Sequence, residues 1–159
     1  MFNKGKCSEE LRKLINKEIK TGKLLKIVFI SENKYGNTDK VEIDVHSLTM
    51  ITLYSNSYNE KIKEKKYRLT KLNIFHLKKL IKKYNLPGWS NLPMGDLLAL
   101  DSPIKSLILY YDNSKVGGSH LDCYSINFYS RIPKDGFLYL NIVIDYILSL
   151  KKRNKTIEE

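Results

Sequence analysis

Between residues 24 and 69, strand-like segments follow one another with only short turns between them, and no helical pattern intervenes. Strands joined this tightly run antiparallel, because a parallel pair needs a crossover of a dozen residues or more. Leu24 to Ile30 is an apolar, β-rich run, with Lys34-Tyr35-Gly36-Asn37 as its turn. Val41, Ile43 and Val45 alternate with Lys40, Glu42, Asp44 and His46, the period of a half-buried strand. Thr49 to Tyr54 is the third segment, turned by Ser55-Asn56-Ser57. Lys61 to Leu69 alternates only roughly and is heavily charged. It is assigned to a strand at or near a sheet edge, where lysines discourage edge-to-edge association.

Helical patterns flank this block. Ser8 is a good N-cap, Glu9 and Glu10 suit the positive end of a helix, and Leu11, Leu14, Ile15 and Ile19 recur at helical spacing. Thr21-Gly22 reads as the end of that helix, and its narrow apolar stripe places it on a surface. Thr70 caps a second helix running to about Tyr84. At about 100° per residue, Ile74, Leu77, Leu80, Ile81 and Tyr84 form one apolar arc. Lys71, Lys78, Lys79, Lys82 and Lys83 fall on the opposite side, with Phe75 among them.

Residues 85–104 hold Pro87, Pro93, Pro103 and the single Trp, so they form a long connection, with one turn of helix at Met94 to Leu100. Trp89, Leu92, Leu97, Leu98 and Leu100 supply apolar side chains to pack it down. Ile104 to Tyr111 is apolar almost throughout, as a central strand is. Across the loop Asp112 to Gly118, the segment Asp122 to Tyr129 alternates again, with Tyr124, Ile126 and Phe128 on one face, and the two make a hairpin. Pro133-Lys134-Asp135-Gly136 leads into a last helix whose only polar interruptions are Asn141, Asp145 and Ser149, so that helix is expected to be mostly buried. The chain thus reads as α-β-β-β-β-α-loop-β-β-α. That order implies an α+β fold: one two-layer domain over residues 1–150, with a mainly antiparallel sheet of about six strands and three helices. Residues 151–159 read as a basic tail that frays.

The formal net charge is +11, and residues 60–83 alone contribute +8. Only Arg12, Arg68, Arg131 and Arg153 are arginine among 28 basic residues. Plentiful Lys, Asn, Ile and Tyr match an AT-rich bacterial coding bias, and Lys lacks the planar fork with which Arg reads phosphates and bases. Cys7 and Cys123 form no metal or redox motif, and the first ten residues contain no apolar signal segment. The longest apolar run, Phe137 to Leu150, is too short for a bilayer. These features predict a cytoplasmic protein with free thiols and no membrane association.

No catalytic, cofactor or metal motif emerges. Asp112, His120, Asp122 and Cys123 gather near one hairpin, but their spacing fits no ligand pattern. Asp44 with His46, and the Gly117-Gly118-Ser119 backbone, are weaker arrangements of the same kind. The basic helix face is the main candidate for contact with an anion or nucleic acid, through Lys71, Phe75, Lys78, Lys79, Lys82 and Lys83. Eleven tyrosines and a nearly all-apolar last helix point to a contact surface. The expectation is a non-enzymatic binding protein acting through a protein partner, of accessory, inhibitor or immunity type. The alternative is a nucleic-acid binder using the helix around residues 70–84.

Overall fold

The computed structural model describes residues 4–32, 37–55, 61–92, 104–128 and 134–157. It contains one antiparallel sheet of six strands and three helices, in the expected α+β order. The strands are β1 (Lys23–Glu32), β2 (Thr38–Asp44), β3 (Thr49–Ser55), β4 (Lys63–Arg68), β5 (Ile104–Asp112) and β6 (Asp122–Asn127). Their spatial order is β4-β3-β2-β1-β5-β6. The lysine-rich β4 is therefore an edge strand, and the apolar β5 is internal.

Register explains the alternation. One row crosses all six strands through Tyr67, Met50, Ile43, Ile27, Leu109 and Tyr124. The next same-face row carries Thr52, Val41, Phe29, Leu107 and Ile126. Nearly all of these side chains are buried, and they form one cluster with the helices. The opposite face presents Asp44, Lys26, Glu42 and Tyr110, where Lys26 pairs with Glu42 and lies over the Tyr110 ring.

The helices are α1 (Lys4–Asn16), α2 (Lys71–Lys83) and α3 (Lys134–Arg153). Thr70 caps α2 as its sequence predicts. Its side chain accepts from the Asn73 N–H (3.1 Å), and Asn73 Oδ1 accepts from the Thr70 N–H (3.0 Å). This reciprocal pair satisfies two otherwise orphaned donors. Ile74, Leu77 and Ile81 turn into the core, as do Leu140, Val143, Ile147 and Leu150 of α3. Tyr84 stacks on Tyr139 at 4.5 Å and His76 meets Tyr146 at 6.0 Å, so the two helices run antiparallel.

Several boundaries differ from the sequence expectation. Ser8 lies inside α1, which begins four residues earlier, and the helix stops at Asn16 rather than at Thr21-Gly22. The cause of the early stop is remote. Asn85 Nδ2 donates to the Ile15 and Lys17 carbonyls at 2.6 and 2.8 Å, so a side chain 68–70 residues away closes the C-terminal end. Asn85 does this from the left-handed region (φ 50°), which Asn tolerates better than most residues.

The connection after α2 contains a 3₁₀ segment, Leu86–Asn91, that the sequence did not indicate. Trp89 in it is 1% exposed, and its indole N–H donates to the Tyr84 carbonyl at 2.9 Å. Burying such an aromatic surface of 150–250 Å² contributes roughly 4–6 kcal/mol as an upper bound. Trp89 and Leu92 do pack this connection down, whereas the helical turn expected at Met94 to Leu100 lies outside the described residues. So do most of the turns around 34–36 and 56–57.

The last helix is buried on one side only, with Leu138 62% and Ile142 39% exposed. It packs inward on the sheet and sideways on α2, which leaves a third face outward. The tail also departs from the expected fraying. Residues 151–153 continue α3, and Asn154 Nδ2 caps the Leu150 carbonyl at 3.0 Å. The chain then turns along β4, where the Ile157 N–H donates to Lys66 O at 2.8 Å and Thr156 bridges Tyr67. An edge strand offers unpaired N–H and C=O groups, and the tail uses part of that row.

Candidate binding surface

Helix α2 carries the six residues singled out from the sequence, and all six are exposed. Burial of Asn73, Ile74, Leu77 and Ile81 fixes the orientation, so the remaining side chains divide by helical angle. Lys79, Lys83, Leu72 and Phe75 point away from the core, with Leu72 63% and Phe75 59% exposed. Lys83 Nζ lies 5.4 Å from the Tyr84 ring centroid. Lys78 and Lys82 lie on the flank away from α3 and line a cavity there. The basic stripe is thus two surfaces: an outward one shared with α3, and a lateral one beside the α1–β1 connection.

The outward surface mixes charge with large apolar groups. Leu138 and Ile142 of α3 are exposed in the same helix layer as Leu72 and Phe75. Asn141 and Asp145 accompany them on α3, and Arg153 lies over the Tyr146 ring at 5.6 Å.

The lateral cavity has a volume of about 620 Å³. Its walls come from Asn16, Glu18, Ile19 and residues 21–24, from Lys78, Ile81 and Lys82, from Asn85 and Pro87, and from Tyr111 at the end of β5. Tyr111 is 5% exposed and meets Tyr124 edge-on at 5.6 Å. Burial, with the Tyr124 hydroxyl nearby as a smaller cause, pushes its pKa up to about 12 despite a hydrogen bond with the Thr21 side chain. Sequence reading missed Thr21, Lys23, Asn85 and Tyr111 as neighbours. The pairing of Lys23 with Asp112 and the reach of Asn85 bring them together, and neither leaves a local signal in the chain.

The hairpin cluster is tied up in its own loop. Asp112 Oδ1 accepts from the Ser114 N–H and hydroxyl at 3.0 and 2.7 Å, which holds its carboxyl below the usual range. His120 Nδ1 comes within 3.7 Å of the same oxygen. Asp122 Oδ2 instead accepts from Asn113 Nδ2 (3.0 Å) and the Ser119 N–H (3.1 Å). Cys123 is an exposed free thiol. Among the described residues no group of three His, Cys, Asp or Glu side chains could hold a metal ion. The Gly118 N–H is used by the Asn113 carbonyl at 2.9 Å, so the Gly117-Gly118-Ser119 backbone does not converge on a ligand. Asp44 likewise closes a local turn by accepting from the Ser47 N–H at 2.9 Å, and this bond holds its carboxyl low.

The centre of that loop is a residue the sequence reading passed over. Asn113 is 3% exposed and uses every polar atom of its side chain. Oδ1 accepts from the Gly22 N–H at 2.7 Å, while Nδ2 donates to Asp122 Oδ2 and to the Tyr124 hydroxyl at 2.9 Å. It joins the start of β1 to the β5–β6 hairpin and so holds one wall of the lateral cavity.

No family model matches this chain, and no curated protein matches it in sequence. Among the described residues no helix is long and apolar enough to cross a membrane.

Proposed function

We propose that this chain acts by binding rather than by catalysis, and that its partner is a protein presenting an acidic surface to the outward face of α2 and α3. The observation that carries the reading is the exposure of Leu72 and Phe75 toward one end, and Leu138 and Ile142 toward the other, of two adjacent antiparallel helices, with Lys79 and Lys83 between them. A single exposed leucine needs no explanation, but four large apolar groups spread along the outward side of one helix pair and bordered by charge have the make-up of an extended contact site. The lysines supply steering and register toward an anionic partner, and the apolar groups supply the desolvated centre. An accessory, inhibitor or immunity role, exercised in a bacterial cytoplasm, accords with the composition.

The test is affinity capture from the source cell's extract with the wild-type chain and with two variant pairs. Phe75→Ser with Leu138→Ser should lose the captured protein, and Lys65→Gln with Lys66→Gln on β4 should retain it. A partner held equally by both pairs, or no reproducible partner, counts against this surface.

A second reading, a nucleic-acid binder, is favoured by Phe75 standing outward among Lys71, Lys78, Lys79, Lys82 and Lys83. Lysines neutralise phosphate and an exposed ring can stack on a base. Fluorescence anisotropy with mixed-sequence DNA and RNA at about 50 and 200 mM salt separates the two readings, because phosphate contacts are lost steeply with salt. Absence of binding at the lower salt removes this second reading.

A further inference from the structure

We propose that the lateral cavity between α2 and the α1–β1 connection is a binding site for a small organic anion, a carboxylate or phosphate head on an apolar body. The volume of about 620 Å³ lies within the range of small-molecule sites, and the walls separate by chemistry. Ile19, Leu24, Ile81 and Pro87 offer an apolar lining. Lys23, Lys78 and Lys82 supply three cations against one carboxylate, that of Glu18.

None of these three lysines forms an ion pair with a carboxylate among the described residues. Lys78 and Lys82 are four apart on one helix, so both ammonium groups project from the same side. Among the described residues the cations beside the cavity therefore outnumber its one carboxylate, which favours an anion at that place. Tyr111 contributes a hydroxyl that stays protonated throughout the physiological range, so it adds no negative charge to the wall. The Thr21 side chain is its neighbour.

The site is held firmly. Asn113 anchors the Gly22 N–H, and Asn85 fixes the end of α1 to the start of the 3₁₀ segment. At Gly22, a Cβ would fall 2.0 Å from the Asp112 carbonyl oxygen, so β1 and β5 meet here more closely than any other residue would permit. A cavity with walls tied at both ends spends little ordering free energy when it is filled.

The experiment is a backbone-amide NMR titration of the full chain at about 150 mM salt, where diffuse attraction is screened beyond roughly 8 Å. The probe is 1-naphthyl phosphate, with 1-naphthylmethylamine and inorganic phosphate as matched partial probes. Naphthyl phosphate should give saturable shifts at Ile19, Thr21, Gly22 and Ile81. The amine should give none there, and inorganic phosphate should bind at least about tenfold more weakly. Lys78→Gln with Lys82→Gln should lower affinity about tenfold, whereas Lys79→Gln with Lys83→Gln on the outward side of the same helix should change it by less than about twofold. All four lysines are exposed, so both variants are expected to keep the native spectrum. Three results overturn the proposal: no saturable shift at these amides, an equal loss in both lysine pairs, or an amine that binds as well as the phosphate. Inorganic phosphate binding as tightly as naphthyl phosphate would overturn the apolar part.

Discussion

Replacing Asn113 by aspartate, Asn113→Asp, keeps the shape of the side chain and changes one contact from attraction to repulsion. Oδ1 can still accept from the Gly22 N–H, and the Tyr124 hydroxyl can turn to donate to the new oxygen. The Asp122 carboxylate cannot adapt, because its Oδ2 lies 3.0 Å from the atom that becomes an oxygen. Two unit charges at that separation repel by about 1.4 kcal/mol in water and about 5.5 kcal/mol at an effective dielectric of 20. Asn113 is buried while Asp122 is half-buried, so about 3 kcal/mol is the expected loss at pH 7.

The loss should depend on pH, with a definite sign. Repulsion makes the introduced carboxyl hold its proton to a higher pH in the folded state than the roughly 3.9 of an unfolded aspartate. The folded variant then binds more protons than the unfolded chain, and its stability falls as pH rises through that window. Urea unfolding followed by far-UV circular dichroism, against wild type at pH 7 and pH 4.5, reads the difference. The deficit should be about 3 kcal/mol at pH 7, about 9 °C in melting temperature for a chain of this length, and clearly smaller at pH 4.5. A deficit under about 1 kcal/mol, or one equal at both pH values, would refute the role assigned to the Asn113–Asp122 contact.

Two further outcomes follow from the same geometry. Gly88→Ala should destabilise the protein by about 1–3 kcal/mol, because the new methyl would sit 2.7 Å from Asn85 Nδ2 and 3.2 Å from the Ile15 carbonyl oxygen. Hydrogen exchange should show the loss first in the α1 amides, and unchanged protection there would count against the Asn85 clasp. In an ultraviolet titration, one tyrosine should resist ionisation until about pH 12, and Tyr111→Phe should remove that late step. Since its folded pKa lies above the unfolded value near 10, the stability it contributes is complete below pH 10 and is lost as pH rises through about 12.

What the sequence made legible is what a local period encodes. The strands β2 and β6 were readable because one face of the sheet is buried, which writes a period of two into the chain, whereas β5 was readable from its continuous apolar run. The start of α2 was readable because Thr70 and Asn73 make its cap locally. The end of α1 was not, since its last carbonyls are satisfied by Asn85, and a helix closed by a distant side chain carries no stop signal of its own. The tail along β4 was hidden for the same reason. Lys155 and Thr156 look like a frayed end until the open edge they meet is in place. Asn113 read as a loop residue, and only the fold shows that it joins three segments.

The same distinction governs the basic block at residues 60–83. As a sum, +8 cannot separate solubility, edge protection and ligand contact, because each raises the same count. The fold separates them by direction. Lys63, Lys65 and Lys66 lie exposed on edge strand β4, where charge opposes pairing with another sheet and part of the ladder is taken by the tail. Lys79 and Lys83 stand outward among exposed apolar groups, where charge can orient a partner. Lys78 and Lys82 border the concave site proposed for a small organic anion. Substituting one pair at a time should therefore give three different phenotypes from changes identical in net charge: in self-association, in partner capture and in small-anion binding. A single graded response to total charge in all three assays would mean that the block acts only as a diffuse field, and would remove both binding proposals together.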